Sequence, residues 1–335
     1  KFSTAWITCL QTETAMFSST FGYRSSIHFC GKLSLLMRKK QPHKFVIVGA
    51  GMVGTAISCL LRKAGHEIAA IADLSPAHLK RVKAYTNAPL FSRAVDAATF
   101  GDCILITTPD DRIESACEDI ARGASLKGKT DFHMSGAGGL DLLQSADNAG
   151  ASIACIHPLQ SFSSIEGAIA SIPGSYFGVT AGPGAKRIST VIVRDLQGIP
   201  LLISPEQKPL YHAAACIASN YLVSLMSVVE SIYLSIGISP KDARKAYLPL
   251  VYGSLKNIEK QGCAQALTGP IARGDAGTIQ KHVHAFESLL PHLSSLYAQM
   301  GKITVGLAGQ KGTLSAGQAG KIIAILKGAN HEHAK

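Results

Sequence analysis

The segment LYHAAACIASNYLVSL (residues 210–225) sets three polar side chains, His212, Ser219 and Asn220, into an alanine-rich apolar run. On an α-helix, at about 100° per residue, positions 212, 216 and 220 climb one face, and Ser219 lies roughly 20° from His212. A histidine on such a stripe can donate a proton at neutral pH, because imidazole titrates there, and an asparagine beside it can hydrogen-bond a ligand. A histidine satisfied within an apolar core is the alternative for His212.

A second chemistry lies near the start of the regular part of the chain. KFVIVGAGMVGTAISCLLRKAGHEIAAIAD (44–73) reads as a strand, a glycine turn, a helix closed by Gly65, and a second strand ending at Asp73. Gly49, Gly51 and Gly54 give GxGxxG between strand and helix, with Ala50, Met52 and Val53 between them. The first glycine allows the tight turn, the second lets a pyrophosphate approach the backbone, and the third lets helix and strand pack closely. The uncapped N–H groups and positive dipole of the helix N-terminus then favour phosphate. Asp73, about twenty residues on, stands where a carboxylate binds ribose hydroxyls and repels a 2′-phosphate, so the expectation leans to NAD over NADP. Lys80 and Arg81 on the following helix are the residues that could reverse this preference.

Strands and helices continue to alternate. DCILIT ends in TPDDRI, KTDFHM in SGAGGLD, and SIACI in HPLQSF, while YFGVTAG precedes a helix from Gly184. The carboxyl ends of these strands should gather Thr107, Thr108, Pro109, Asp110, Ser135, Gly136 and His157 at one rim, where ligands bind in open parallel sheets. Helix N-capping is the alternative for Asp110 and Asp111. Near residue 203 the pattern changes. SPEQ (204–207) offers a capping box for a long helix ending at Gly237, and ISPKDA opens a second one ending near Gly262. Helices from about Ile279 to Met300 and Thr313 to Lys327 follow the loop ALTGPIARGDAGT. In that loop Thr268, Gly269 and Pro270 form a turn able to approach a ligand. Arg273 could clamp a substrate carboxylate or pair with Asp275.

The expected fold class is thus α/β, a doubly wound, mostly parallel Rossmann sheet followed by an all-helical domain. The domains are residues 44–203 for dinucleotide binding and the helical residues 204–330. Residues 1–43 are read as an extension outside the fold, with Met37 as the more natural start. That extension carries six cations against Glu13, so +5 of the formal net charge of +11 belongs to it. The rest is dispersed and lacks interleaved aromatics, which argues against nucleic acid as a partner. Eight cysteines without a CxxC pair read as buried thiols of a reducing, cytoplasmic protein. HVH (282–284) and HEH (331–333) have no third ligand at metal-site spacing, so no metal is expected. No apolar run reads as a membrane span, and the long apolar helices suggest a homodimer.

VGAGMVG, TPDD, SGAGGLD, HPLQSF, LYHAAACIASNYLVSL and ALTGPIARGD, in this order over roughly residues 44–305, resemble a family of predicted oxidoreductases. These join a Rossmann-like domain to a C-terminal helical domain of unknown function. The family sits in the 6-phosphogluconate-dehydrogenase-like superfamily, near ketopantoate reductase, pyrroline-5-carboxylate reductase and prephenate dehydrogenase. The resemblance implies an NAD(P)-dependent oxidoreductase with its active site between the two domains, acting on a small carboxylate substrate. It also implies that residues 204–330 serve substrate binding and dimerisation. A ketopantoate-reductase-like reduction of a 2-oxo acid leads; imine or prephenate-type chemistry and a non-catalytic dinucleotide sensor are the alternatives. Several relatives carry Lys-x-x-x-Asn on the first long helix of the second domain. Asn220 matches the asparagine, but Cys216 stands at the lysine position, which turns attention to His212 one turn earlier as proton donor. Ser135 with the SGAGG backbone would hold the substrate carboxylate. His157 before Pro158 resembles the His-Pro pair of prephenate dehydrogenases.

Overall fold

The computed structural model describes residues 42–328; the readings of the N-terminal extension, of HEH and of Cys9 and Cys30 lie outside them. The chain divides after Leu202 into two compact units.

The first unit is built on eight strands: β1 (Lys44–Val48), β2 (Glu67–Ala72), β3 (Leu90–Phe91), β4 (Cys103–Ile106), β5 (Thr130–His133), β6 (Ser152–Pro158), β7 (Tyr176–Ala181) and β8 (Ile199–Leu202). Their order is β3-β2-β1-β4-β5-β6-β7-β8. All neighbours are parallel except β6 and β7. The helices are α1 (Met52–Lys63), α2 (Pro76–Val82), α3 (Ala94–Ala97), α4 (Asp110–Gly123), α5 (Gln144–Asn148), α6 (Ile165–Ser171) and α7 (Lys186–Asp195). Strand residues alternate between two cores. Phe45 and Ile47 pack with Ile57, Leu61, Ala168 and Ile192 on one face, and Val46 and Val48 with Ile113, Cys117 and Ile120 on the other. Covering both faces explains why β1 and β4 are almost wholly apolar. The doubly wound sheet expected from the alternating pattern is present; the short edge strands β3 and β8 carried too little pattern to be read.

The second unit is helical: α8 (Lys208–Cys216), a π-helical turn (Ile217–Tyr221), α9 (Leu222–Ser235), α10 (Pro240–Ala266), α11 (Ala276–Leu289), α12 (Ser294–Lys311) and α13 (Ala316–Gly328). Its core joins Ile279 and Val283 to Ala298, Val305, Ile322 and Leu326. Four expectations need correction. The capping-box hydrogen bonds form, Gln207 N–H to Ser204 Oγ at 3.4 Å and Ser204 N–H to Gln207 Oε1 at 3.0 Å. Yet the α-helix begins only at Lys208, because Pro209 has no N–H with which to continue the first turn. The helix expected over 279–300 is broken at Leu290–Pro291, again by a proline. The helix after Ser239 runs through Gly262, which takes φ +76° and kinks it. Finally, α8, the π turn and α9 form one 28-residue helix long and apolar enough to cross a membrane by composition, which the scattered Ser, His and Asn had disguised.

In β5, Asp131 is fully buried, and neither carboxylate oxygen has a hydrogen-bond partner among the described residues. Burial pushes its pKa up to about 7 against the opposing pull of the Lys129 ammonium. A carboxyl raised above its unfolded value stabilises the fold fully below pH 3.8 and progressively less as pH climbs to about 7. Asp131→Asn should therefore gain stability over the wild type by about 2–4 kcal/mol between pH 4 and pH 8. Urea unfolding at both pH values measures this; a pH-independent difference would refute the burial account.

Candidate functional site

The glycine turn is tied from both sides. Gly49 takes φ +104°, and an added Cβ there would lie 2.8 Å from the Thr107 carbonyl carbon. A Cβ on Gly54 would sit 2.0 Å from the Gly49 oxygen and 2.4 Å from Thr107 Oγ1. That hydroxyl donates to Gly49 O at 2.7 Å, joining the end of β4 to the turn after β1. At Gly51 an added Cβ would meet nothing within 4 Å. The first and third glycines thus let the chain pass close to itself, and the second leaves space above the backbone. Gly51 is the N-cap of α1, and no side chain caps that end. The N–H groups of Met52 and Val53 therefore open onto the space left by Gly51.

Asp73 follows β2, with its side chain almost buried. Its Oδ2 accepts from Ala50 N–H at 2.6 Å and lies 3.1 Å from His78 Nδ1. Oδ1 accepts from Ser75 N–H at 2.7 Å, and Ser75 Oγ caps α2 as expected. Arg81 Nη2 donates to Ala50 O at 3.1 Å. The carboxylate thus holds the glycine turn in place, and the His78 imidazole and Arg81 guanidinium crowd the position at which it was expected to select NAD.

Beside this cradle lies a pocket of about 260 Å³ lined by Val53, Ile106, Thr107, Thr108, Asp110, Met134, Ser135, Gly136, His157, Pro158, Gln160 and Phe162. The expected rim residues Thr107, Thr108, Asp110, Ser135, Gly136 and His157 are thereby brought together; Pro109 is exposed and N-caps α4. Asp110 and Asp111 sit in the first turn of α4 without capping it through their side chains. Asp110 Oδ2 accepts the Ser135 hydroxyl at 2.6 Å, and Ser135 Oγ accepts from Gly138 N–H at 2.8 Å. Behind it, His133 Nδ1 accepts from Ser135 N–H at 3.2 Å, so Nε2 donates to Gly139 O at 2.9 Å. His133, buried in β5, was not read from the sequence as part of the site; it shapes the SGAGG loop from below. Thr108 Oγ1 is buried without a partner among the described residues. A buried hydroxyl left over in a pocket wall can serve a ligand's polar group. The cradle, the uncapped helix end and this hydroxyl together fit a dinucleotide.

In the helical unit, His212 and Cys216 are half-buried, with Cys216 Sγ 3.5 Å from His212 Nε2. Asn220 and Ser219 are exposed and fall in the π turn. The single stripe expected from 100° spacing therefore holds from His212 to Cys216 and is offset beyond it, because a π turn inserts an extra residue. Lys208, one turn before His212, is 2% exposed; as the first residue of α8 it gave no sequence signal. Thr268 and Gly269 lie in the loop before α11, Gly269 at φ +96°. Arg273 is exposed, and Asp275 spends its carboxylate on capping α11 through Thr278 N–H at 3.0 Å and the Thr278 hydroxyl at 2.6 Å. A cluster absent from the sequence reading, His43, Asp102 and Cys103, places ligand atoms within 4.8 Å of one another at the amino ends of the strands. Asp102 there already accepts from Lys44 N–H at 3.0 Å.

A model of Rossmann-like domains matches residues 37–158, and that of a domain of unknown function, DUF2520, matches residues 175–304. The chain is a Rossmann-like protein with a DUF2520 domain. Among solved structures it is similar to a Bacteroides fragilis protein assigned as an NADP oxidoreductase, at 16% identity and a TM-score of 0.64 over 79% of this chain and 98% of that one. It is also similar to protein TM1727 of Thermotoga maritima, at 22% identity and 0.63 over 80% and 99%. Pyrroline carboxylate reductase of Plasmodium falciparum, with NADP bound, matches at 15% and 0.52 over 84% and 98%. These likenesses establish the fold. No curated protein sequence matches the chain.

The glycines make separable predictions. Gly51→Ala should leave thermal stability within about 0.5 kcal/mol of wild type yet weaken binding of NADH or NADPH about tenfold or more, since the new methyl fills only the ligand's space. Gly54→Ala should lower the unfolding temperature as well. Fluorescence titration and thermal melts of both variants check this; equal behaviour of the two would contradict the assigned roles.

Proposed function

We propose that the chain is an NAD(P)H-dependent reductase that delivers hydride to the carbon of a C=N bond in a small carboxylate-bearing substrate. The observation carrying this reading is the Gly49–Gly54 cradle opening beside a pocket rimmed by Thr108, Ser135, Gly136 and His157. Bound there, a nicotinamide cofactor supplies the hydride. The residues of this pocket supply shape and polarity: the SGAGG backbone and Thr108 offer donors to an anionic substrate group. Asn220 of the helical unit is assigned to the reacting nitrogen by the family resemblance alone. Pyrroline carboxylate reductase, a neighbour in fold, is named for a substrate of this class.

Cys216 favours C=N over C=O. A ketone becomes an alkoxide on receiving hydride and needs a cationic donor beside it. A protonated imine brings its own positive charge and leaves as a neutral amine. The lysine that the family resemblance led one to expect is replaced by a thiol, which suits the second case. Reduction of a 2-oxo acid is the second reading, supported by His212, whose imidazole can donate the missing proton. Arg273, exposed while Asp275 caps α11 through Thr278, is the proposed contact for the substrate carboxylate.

For the cofactor, NADP(H) is the proposed choice, against the NAD expected from Asp73 alone. That carboxylate is committed to Ala50, Ser75 and His78, and Arg81 places a guanidinium beside the turn. A guanidinium there suits a 2′-phosphate. A second copy of the chain is the proposed cover for the apolar side chains exposed on α9 and α10, among them Val223, Leu234, Leu250 and Tyr252.

Oxidation of NADPH and NADH against a panel of cyclic imines and 2-oxo acids tests the reading. Turnover should be found with NADPH and an imine acid, and Asn220→Ala should lower kcat/KM about 10–100-fold. Arg81→Ala should raise the KM for NADPH about tenfold and leave that for NADH nearly unchanged. Tight binding without turnover on any compound would replace the reductase with a dinucleotide sensor.

A further inference from the structure

Of the described cysteines, four are buried: Cys59, Cys103, Cys117 and Cys155. Burial drives the Cys59 and Cys103 thiols upward in pKa and Cys117 to about 11, so these sulfurs stay protonated and inert. Cys155 donates its thiol to Ser135 O at 3.1 Å. Cys263 is exposed on α10. Cys216 differs from all of these. It is half-exposed, and its Sγ lies 3.5 Å from His212 Nε2, where the thiol can pass its proton to the imidazole. Four residues apart on one α-helix, the two side chains are held in register by the backbone itself. Alanines 213–215 add little bulk around them. The helix then opens into the π turn at Ile217, a local geometry frequent where helices carry chemistry. A nucleophile, a base within reach and access for a small molecule are the elements of a reactive thiol.

From this geometry we infer that Cys216 is a site of reversible oxidation by small hydroperoxides, with His212 as its base. The Cys216 thiol gives its proton to His212, and the thiolate sulfur attacks one peroxide oxygen. The S–O bond forms as the O–O bond breaks. Sulfur is oxidised by two electrons to a sulfenic acid, and the departing oxygen takes the proton back from the imidazolium and leaves as water, or as an alcohol from an organic peroxide. A thiol reductant reverses the change. Resting on the proposed reductase reading, the new oxygen would occupy the turn before Asn220 and switch substrate reduction off.

Hydrogen peroxide in small molar excess, followed by dimedone and peptide mass spectrometry on the full chain, tests the site without reference to turnover. Cys216 should be trapped about tenfold or more faster than the exposed Cys263, and iodoacetamide alkylation should show the same order. His212→Gln should bring Cys216 down to the rate of Cys263 and leave Cys263 unchanged. Should that variant fail to fold, competition between the two cysteines in the wild type still decides. Equal or slower reaction at Cys216, or indifference to His212→Gln, would overturn the inference. A panel without turnover would sink the reductase reading alone and leave the labelling result standing.

Discussion

Everything in the first unit depends on how closely α1 approaches the turn after β1. Gly54 supplies that closeness, since no other side chain leaves its backbone so near the Gly49 oxygen. Once the helix is seated there, its N-terminus points over the sheet, β1 and β4 are locked through Thr107, and the space above Gly51 stays clear. Asp73 reinforces the same arrangement through the Ala50 N–H. A residue expected to read a ligand is thus first a brace for the turn that receives it.

The first unit was legible because two signals coincided. Apolar strands of both-face burial alternate with helices, and the glycines fall where only glycine fits, so motif and element boundary confirm each other. The carboxyl-end rule then collected the rim residues from three separate stretches of sequence without knowledge of their distances. What could not be read were interactions made by distant residues. His133 beneath the Ser135 loop and the uncompensated Asp131 both sit in the β5 stretch TDFH, whose polar letters give no sign that the strand is fully buried. Edge strands β3 and β8 were lost for other reasons: β3 has only two residues, and β8, IPLL, carries a proline that weakens a strand reading.

In the helical unit, periodicity found the helices but misplaced their breaks. Pro209 and Pro291 acted within the pattern, where one missing N–H outweighs several well-placed apolar residues. The polar stripe from His212 was correct for one turn. It failed beyond Cys216 because a constant angle per residue assumes a uniform helix, and nothing in IASNY announces the π turn. That the long apolar helices would not be fully buried was expected from their composition, but which rows of α9 and α10 stay exposed was not, since composition tells how apolar a helix is and not which face is covered.

The π turn at Ile217–Tyr221 acts as a phase shift within one rod. Upstream of it, the row Lys208, His212, Cys216 is aimed by the start of α8; downstream, the outward apolar row of α9 is aimed anew. The two ends of a continuous helix can then change independently over evolutionary time. Replacing the residue at 216 alters the chemistry of one end without rotating the other. A helix of this kind could exchange the residue at 216 while the exposed apolar row of α9 stayed in place.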